Sequence, residues 1–182
     1  MKGYHYIKRG IDIILSGMAI VILSPLLLFL CIAIKLDTPG PILFKQKRVG
    51  IHRSFFQIYK FRTMRIDTPK DVPTHMLENP EQYITKVGKF LRKTSLDELP
   101  QIFNIFKGEM SIVGPRPALW NQDDLVAERE KYGANDVTPG LTGWAQINGR
   151  DELEIPDKAR LDGEYVKHLG CLLYTSPSPR DS

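Results

Sequence analysis

The sequence predicts an α+β protein: one long apolar helix at the N-terminus, then a small domain of short helices and a β-hairpin. Three observations carry this. Ile13 to Ile34 is a run of twenty-two residues without a charge. Two β-like runs, Ile42 to Val49 and Phe55 to Met64, flank Gly50-Ile51-His52-Arg53 as a hairpin would. Beyond them, apolar residues recur at helical spacing between proline and glycine punctuation, as at Ile84, Val87 and Leu91. The chain accordingly divides into a membrane-embedded segment (1–36), a cytoplasmic domain (37–168) and a tail (169–182) of turn and disorder composition, or not native to the domain.

Composition narrows the function classes. The chain has 182 residues, a hydrophobic fraction of 42% and a formal net charge of +4. Much of the apolar content is spent in the first 36 residues, which leaves a polar, basic remainder suited to an anionic surface, a phosphate-bearing substrate or nucleic acid. Two cysteines, Cys31 and Cys171, make neither a disulfide framework nor a metal cluster. His5, His52, His75 and His168 lack ligand spacing, which argues against zinc. P-loop and dinucleotide-binding glycine motifs are absent from the sequence. The apolar run is too long for a signal-peptide core and has no small-x-small cleavage site.

At about 1.5 Å per residue, the run is long enough to cross a hydrocarbon core of about 30 Å. Two features complicate a crossing. Pro25 deprives the Val21 carbonyl of its helical donor, and the Ser24 hydroxyl is the nearest replacement. Both ends are also basic. Lys2, Lys8 and Arg9 precede the run, with Asp12 spaced to pair with Arg9. Lys35 to Arg65 holds eight Lys/Arg and one acid, Asp37, a bias that predicts the cytoplasmic side. A spanning helix would put the N-terminal charges outside, whereas a helix that breaks at Ser24-Pro25 and returns keeps both ends inside. From these residues both placements stay open.

Further elements follow in order. Thr38-Pro39-Gly40-Pro41 closes the membrane segment, and Lys45, Lys47 and Arg48 form a basic patch suited to lipid. In Phe55 to Met64 the two-residue period sets Lys60 and Arg62 on one face and Tyr59 and Phe61 on the other. Residues 67 to 80 read as a proline-rich surface loop, and Glu81 to Arg92 as a helix. Gly108 ends an apolar helix, and Met110 to Val113 is a short buried strand that delivers Gly114-Pro115-Arg116-Pro117. Asn121 to Tyr132 is a polar helix with Asp123 and Asp124 at its start and Arg129 and Lys131 near its end, as the helix dipole favours. Thr138 to Trp144 is a turn into a strand ending at Asn148-Gly149-Arg150.

The chemistry concentrates at Asp97-Glu98. Its simpler reading is a capping box, Ser95 as N-cap and Glu98 three positions on. The functional reading makes a carboxylate a nucleophile on phosphorus, with a divalent cation on the same acids and Lys60, Arg62, Arg92 and Arg116 around the phosphates. Pro115-Arg116-Pro117 is most simply a rigid loop with a solvated arginine, while the functional reading has the two prolines hold the Arg116 guanidinium still for a phosphate or a base.

Several motifs together resemble the bacterial sugar transferases, and more narrowly the small monotopic polyprenyl-phosphate phosphoglycosyl transferases. They are the apolar N-terminus with Ser24-Pro25, KFRTM at 60–64, RKTSLDELPQ at 92–101, GEMSIVGPRP at 108–117 and PGLTGW at 139–144. The likeness covers about residues 5 to 166, in order and at the expected spacings.

It implies transfer of a sugar-1-phosphate from a UDP-sugar to undecaprenyl phosphate, with release of UMP and a phospho-aspartyl intermediate. Asp97 would be the nucleophile and Glu98 its partner, in metal coordination or in deprotonating the lipid phosphate. Mg²⁺ would be held by Asp97 and Glu98. Lys60, Arg62, Arg92, Pro115, Arg116, Pro117 and Arg150 are the substrate-binding candidates, the Pro-Arg-Pro loop on the uridine side. The resemblance also implies a re-entrant helix broken at Ser24-Pro25, with the catalytic domain on the cytoplasmic face of the bacterial inner membrane. Membrane lipids are then the expected partners, and nucleic acid is not. The rival reading is a non-catalytic or truncated membrane-bound relative with a basic lipid-binding face.

Overall fold

The structure is a computed structural model that describes residues 2–68, 80–149 and 153–169. Most of the expected loop at 67–80, Arg150, and the tail from 170 on lie outside the described residues.

Helices and short strands are mixed in an α+β pattern. A helix α1 (Lys2–Asp37) leads into paired strands β1 (Leu43–Val49) and β2 (Phe55–Phe61). Helices α2 (Lys86–Thr94) and α3 (Gln101–Lys107) follow, then strand β3 (Ser111–Val113) and helix α4 (Asp123–Glu130). Strand β4 (Gly140–Thr142), a short helix α5 (Trp144–Ile147) and helix α6 (Ile155–Lys167) complete the described chain. The chain separates into two compact units. One comprises Met1–Leu15, Lys47–Gln57 and Ile105–Ser182, the other Ser16–Gln46 and Ile58–Asn104.

In α1 the expected break does not occur. The helix runs through Pro25 without interruption, and the Ser24 hydroxyl donates to the Val21 carbonyl at 2.8 Å, replacing the donor that proline lacks. Two stripes divide its surface. Leu27, Leu30 and Ile34 are buried against Phe61, Leu91 and Ile102, and this cluster is the core of the second unit. Ile14, Met18, Val21, Ile22, Leu28, Phe29, Ile32 and Leu36 stay uncovered, with Val21 72% exposed. Leaving even one such side chain in water forfeits about 1.5–3 kcal/mol of burial free energy. A continuous stripe of them therefore fits an apolar surrounding.

The second unit is closed by polar bonds at the end of α1. Asp37 accepts from the backbone N–H of Val87 at 3.1 Å, and Lys35 donates to the Gly40 carbonyl at 3.1 Å. Helix α2 begins one turn later than the apolar spacing predicts, because Thr85 caps it by accepting from the Gly88 N–H at 2.9 Å. Gly108 (φ 94°) ends α3, as expected.

The first unit is built on β3 and β4, a parallel pair with Ser111 opposite Gly140 and Val113 opposite Thr142. Asp12 does not pair with Arg9. It accepts from Ser111 Oγ at 2.8 Å, from the Ile112 N–H at 3.1 Å and from Lys8, which also bonds Ser111. Arg9 donates instead to the Ile105 and Phe106 carbonyls at 2.6 and 2.7 Å, near the negative end of α3. These charges are thus spent within the protein.

Arg129 lies in the last turn of α4, as expected, and is buried there, bonding Asp162 at 2.6 and 2.8 Å. The segment after Trp144 is helix α5 rather than strand, and it precedes a helix, α6, that the sequence reading did not foresee. Helix α6 opens with Pro156 in its first turn and buries Ala159, Leu161, Asp162 and Tyr165 on one face.

Candidate active site

Four of the expected site residues converge within one unit. Helix α2 ends at Thr94, and Ser95 then takes a left-handed conformation (φ 56°, ψ 17°). Its N–H closes the helix on Arg92 and Leu91. Leu96 to Glu98 follow as a single 3-10 turn, and Pro100 starts the chain into α3. The left-handed serine reverses direction in one residue, which puts Asp97 and Glu98 on a tight corner between two helices. Such a backbone costs about 1–2 kcal/mol for a residue other than glycine, a strain that recurs at functional sites.

The expected capping bond is absent, since the Ser95 side chain makes no capping hydrogen bond. The Glu98 carboxylate instead accepts from Lys60 Nζ at 2.8 Å, with about a fifth of each side chain exposed (18% and 20%). Lys60 comes from β2, so the pair joins the hairpin to the corner. Burial pushes the Asp97 carboxyl above the usual carboxylate range. The nearby Lys60 charge opposes that rise, the adjacent Glu98 adds to it, and Arg92 opposes it more weakly. Burial likewise lowers the Arg92 guanidinium below its ordinary value, and the Asp97 charge works against this. One basic carboxylate thus lies in the field of two cations, beside an acid already neutralised by a lysine.

Arg62 departs from the expected role. Strand β2 ends at Phe61, so the two-residue period no longer sets Arg62 beside Lys60. Its guanidinium is buried and donates to the Pro39 carbonyl at 2.6 Å and to the Thr38 carbonyl and hydroxyl at 2.7 and 2.9 Å. Arg62 therefore clamps the turn after α1. Arg48 departs in the same way, donating to the Pro117 carbonyl at 3.0 Å rather than standing in a lipid-facing patch.

The Pro-Arg-Pro loop lies in the other unit. Pro115 and Pro117 are buried and Arg116 is half-buried. The loop is pinned by backbone bonds from Gly140 N–H to the Pro115 carbonyl and from Gly114 N–H to the Thr142 carbonyl, each 2.8 Å. Lys47 stands over the Phe55 ring at 4.0 Å and the Trp120 ring at 5.8 Å, a cation–π arrangement the sequence reading missed.

No group of three or more His, Cys, Asp or Glu side chains gathers among the described residues. Adjacent Asp97 and Glu98 are nonetheless a donor set that suits Mg²⁺, which takes one or two carboxylates and fills its octahedron with water and substrate phosphate.

Comparison with known proteins gives this corner its context. Residues 3–176 match the bacterial sugar transferase family. The UDP-glucose:undecaprenyl-phosphate glucose-1-phosphate transferase of Escherichia coli K12 is 41% identical over 174 residues, covering 88% of this chain and 36% of that protein. The uncharacterized sugar transferase EpsL of Bacillus subtilis is 40% identical over 167 residues, covering 92% and 81%. The undecaprenyl-phosphate galactose phosphotransferase of Salmonella typhimurium is 36% identical over 181 residues, covering 92% and 38%. The chain thus spans little more than a third of the enterobacterial relatives. The match runs through the apolar helix, the Asp97-Glu98 corner and the Pro-Arg-Pro loop alike, and the chain belongs to the bacterial sugar transferase family.

Proposed function

We propose that the chain transfers a sugar-1-phosphate from a UDP-sugar to undecaprenyl phosphate, releasing UMP, through a phosphorylated Asp97. The observation that carries this reading is the corner itself. Glu98 is neutralised by Lys60, while Asp97 is made more basic by burial and faces Lys60 and Arg92. Raised basicity makes a better nucleophile once ionised, and the cations offset the charge of an incoming diphosphate. Relatives named as undecaprenyl-phosphate sugar phosphotransferases support the substrate class.

In the first step an Asp97 carboxylate oxygen attacks the β-phosphorus of the UDP-sugar. The bond from that phosphorus to the bridging oxygen breaks, and UMP leaves with the electron pair. In the second step an oxygen of undecaprenyl phosphate attacks the same phosphorus, and the Asp97–phosphorus bond breaks to restore the carboxylate. Glu98 takes the proton if the lipid phosphate arrives protonated. Mg²⁺ held by Asp97 and Glu98 would neutralise phosphate charge during both displacements. Arg92 and Lys60 bind phosphate oxygens.

The same reading places the protein on one leaflet of the bacterial inner membrane, with its polar part facing the cytoplasm. Arg9 and Asp12, just before the apolar run, bond residues 105–112. Asp37, just after it, bonds α2. Among the described residues α1 is the one helix apolar and long enough to cross a membrane. The uncovered apolar stripe of that helix supports its seating in lipid. Replacing Asp97 by Asn should lower UMP release, assayed with undecaprenyl phosphate and a panel of UDP-sugars, by at least about a thousandfold. Wild-type release from Asp97→Asn would sink the mechanism, whereas no release from the unaltered chain with any UDP-sugar would favour a non-catalytic relative.

A further inference from the structure

Arg92 is held at one nitrogen only. Its Nε donates to the Thr63 hydroxyl at 2.9 Å, and among the described residues its two terminal nitrogens have no acceptor. We infer that Thr63 is a positioning residue that aims Arg92 at the phosphates of the sugar donor, an inference that rests on the reaction proposed above.

The argument begins with guanidinium geometry. The group is planar, with five N–H bonds in a fixed fork. Once Nε is committed, the edge left for a ligand is the pair of terminal nitrogens, which can present two parallel N–H bonds to two oxygens of one phosphate. Thr63 therefore fixes the plane of the fork and also selects which edge is offered.

Thr63 is itself immobilised. It is buried, at 7% exposure, and its carbonyl accepts from the Thr85 N–H at 3.0 Å. Gly88 packs so closely on its backbone that a Cβ there would lie 2.1 Å from the Thr63 carbonyl oxygen. Thr85 and Gly88 are the cap and first turn of α2, while Arg92 is in its last turn. One rigid helix thus grips Thr63 at its start and presents Arg92 to it at its end. Thr63 also lies three residues after Lys60, which holds Glu98. The short segment from 60 to 63 hence sets the position of two charged groups around Asp97.

The test is a set of variants assayed for UMP release and for thermal unfolding. Thr63→Val keeps the shape and removes the acceptor, and should lower kcat about tenfold to a hundredfold, the range for a hydrogen bond to a charged group. Thr63→Ser restores the hydroxyl and should recover most of the activity. In an Arg92→Ala background Thr63→Val should have little further effect, because the group it positions is gone. Full activity in Thr63→Val, or losses that multiply independently in the double variant, would overturn the inference. Should Thr63→Val not fold, a Thr63→Ser enzyme no more active than Thr63→Ala would overturn it equally. Asp97→Asn measured alongside keeps the two ideas apart. Activity in Asp97→Asn refutes the reaction, whereas an inactive Asp97→Asn with a wild-type-like Thr63→Val refutes only the role of Thr63.

Discussion

Replacing Gly88 by alanine sets two physical effects of opposite sign against each other. Gly88 lies inside α2, where alanine is favoured over glycine by about 1 kcal/mol on helix propensity. Against that, the new Cβ would lie 2.1 Å from the Thr63 carbonyl oxygen and 2.7 Å from its carbon and Cα. The closest approach is about 1.3 Å short of ordinary contact at 3.4 Å. All three atoms are backbone, so no side chain can swing aside. Overpacking of this kind costs about 1–3 kcal/mol or more, and moving Thr63 also strains its bond from Thr85, worth about 1 kcal/mol. The steric cost wins. Gly88→Ala should be less stable by about 1–3 kcal/mol, which for a chain of this size lowers the melting temperature by roughly 2–10 °C. Trp120 and Trp144 make tryptophan fluorescence during a thermal ramp a direct assay, with wild type and variant in the same detergent. A variant that melts at or above wild type would refute the claimed contact between α2 and Thr63.

Other expectations concern charge. Burial raises Asp97, so the folded state holds its proton more tightly than the unfolded chain does, and stability falls as pH rises from the ordinary carboxylate value of 3.8 through the higher folded value. Asp97→Asn should therefore melt higher than wild type at neutral pH, and the gain should vanish in acid below that window. Activity should show the matching acid limb, displaced above the usual carboxylate range because Asp97 must be ionised to attack, as a pH profile of kcat would report. Asp162→Ala strands Arg129 in the core without its partner and should destabilise the protein by about 3–5 kcal/mol, whereas an apolar pair at both positions should recover much of it. Equal melting temperatures for single and double variants would contradict that account. Glu98→Gln should leave Lys60 less well neutralised and slow UMP release while the protein still folds, and unchanged kinetics would argue that Glu98 serves structure alone.

Local rules read from the sequence held where the chain had no competing choice. Pro25 must orphan the Val21 carbonyl, and Ser24 is the donor within reach, so that bond was legible. Proline did not break α1, since the hydroxyl met the one lost hydrogen bond. The short strand before the Pro-Arg-Pro loop and the glycine end of α3 were legible for similar reasons. The capping box failed because Ser95 serves the preceding helix as a left-handed terminus, and sequence alone does not say which helix a serine at a junction will serve. Arg62 was misplaced because a strand period holds only as far as the strand, which stops one residue earlier. Arg129 falls in the last turn of α4 as the sequence predicts, but its burial was not legible, because its partner, Asp162, is thirty-three residues away on a helix not foreseen. That helix left signals of its own: Pro156 in the first turn, then Ala159, Asp162 and Tyr165 at helical spacing. Thr63 was visible inside KFRTM, but its role depends on α2 folding back on it.

The bonds at the start of α1 also bear on how the protein is made. Asp12 bonds the N–H of a residue one hundred positions later, and Arg9 bonds carbonyls almost as distant. At about 5–20 residues per second, a ribosome emits that intervening chain in roughly 5–20 s. For the later part of that interval the apolar run is outside the ribosome, while the groups that will satisfy Arg9 and Asp12 have not been synthesised. Both charges must then remain hydrated until residues 105–112 arrive. The final seating of α1 thus comes late relative to the helix's own translation.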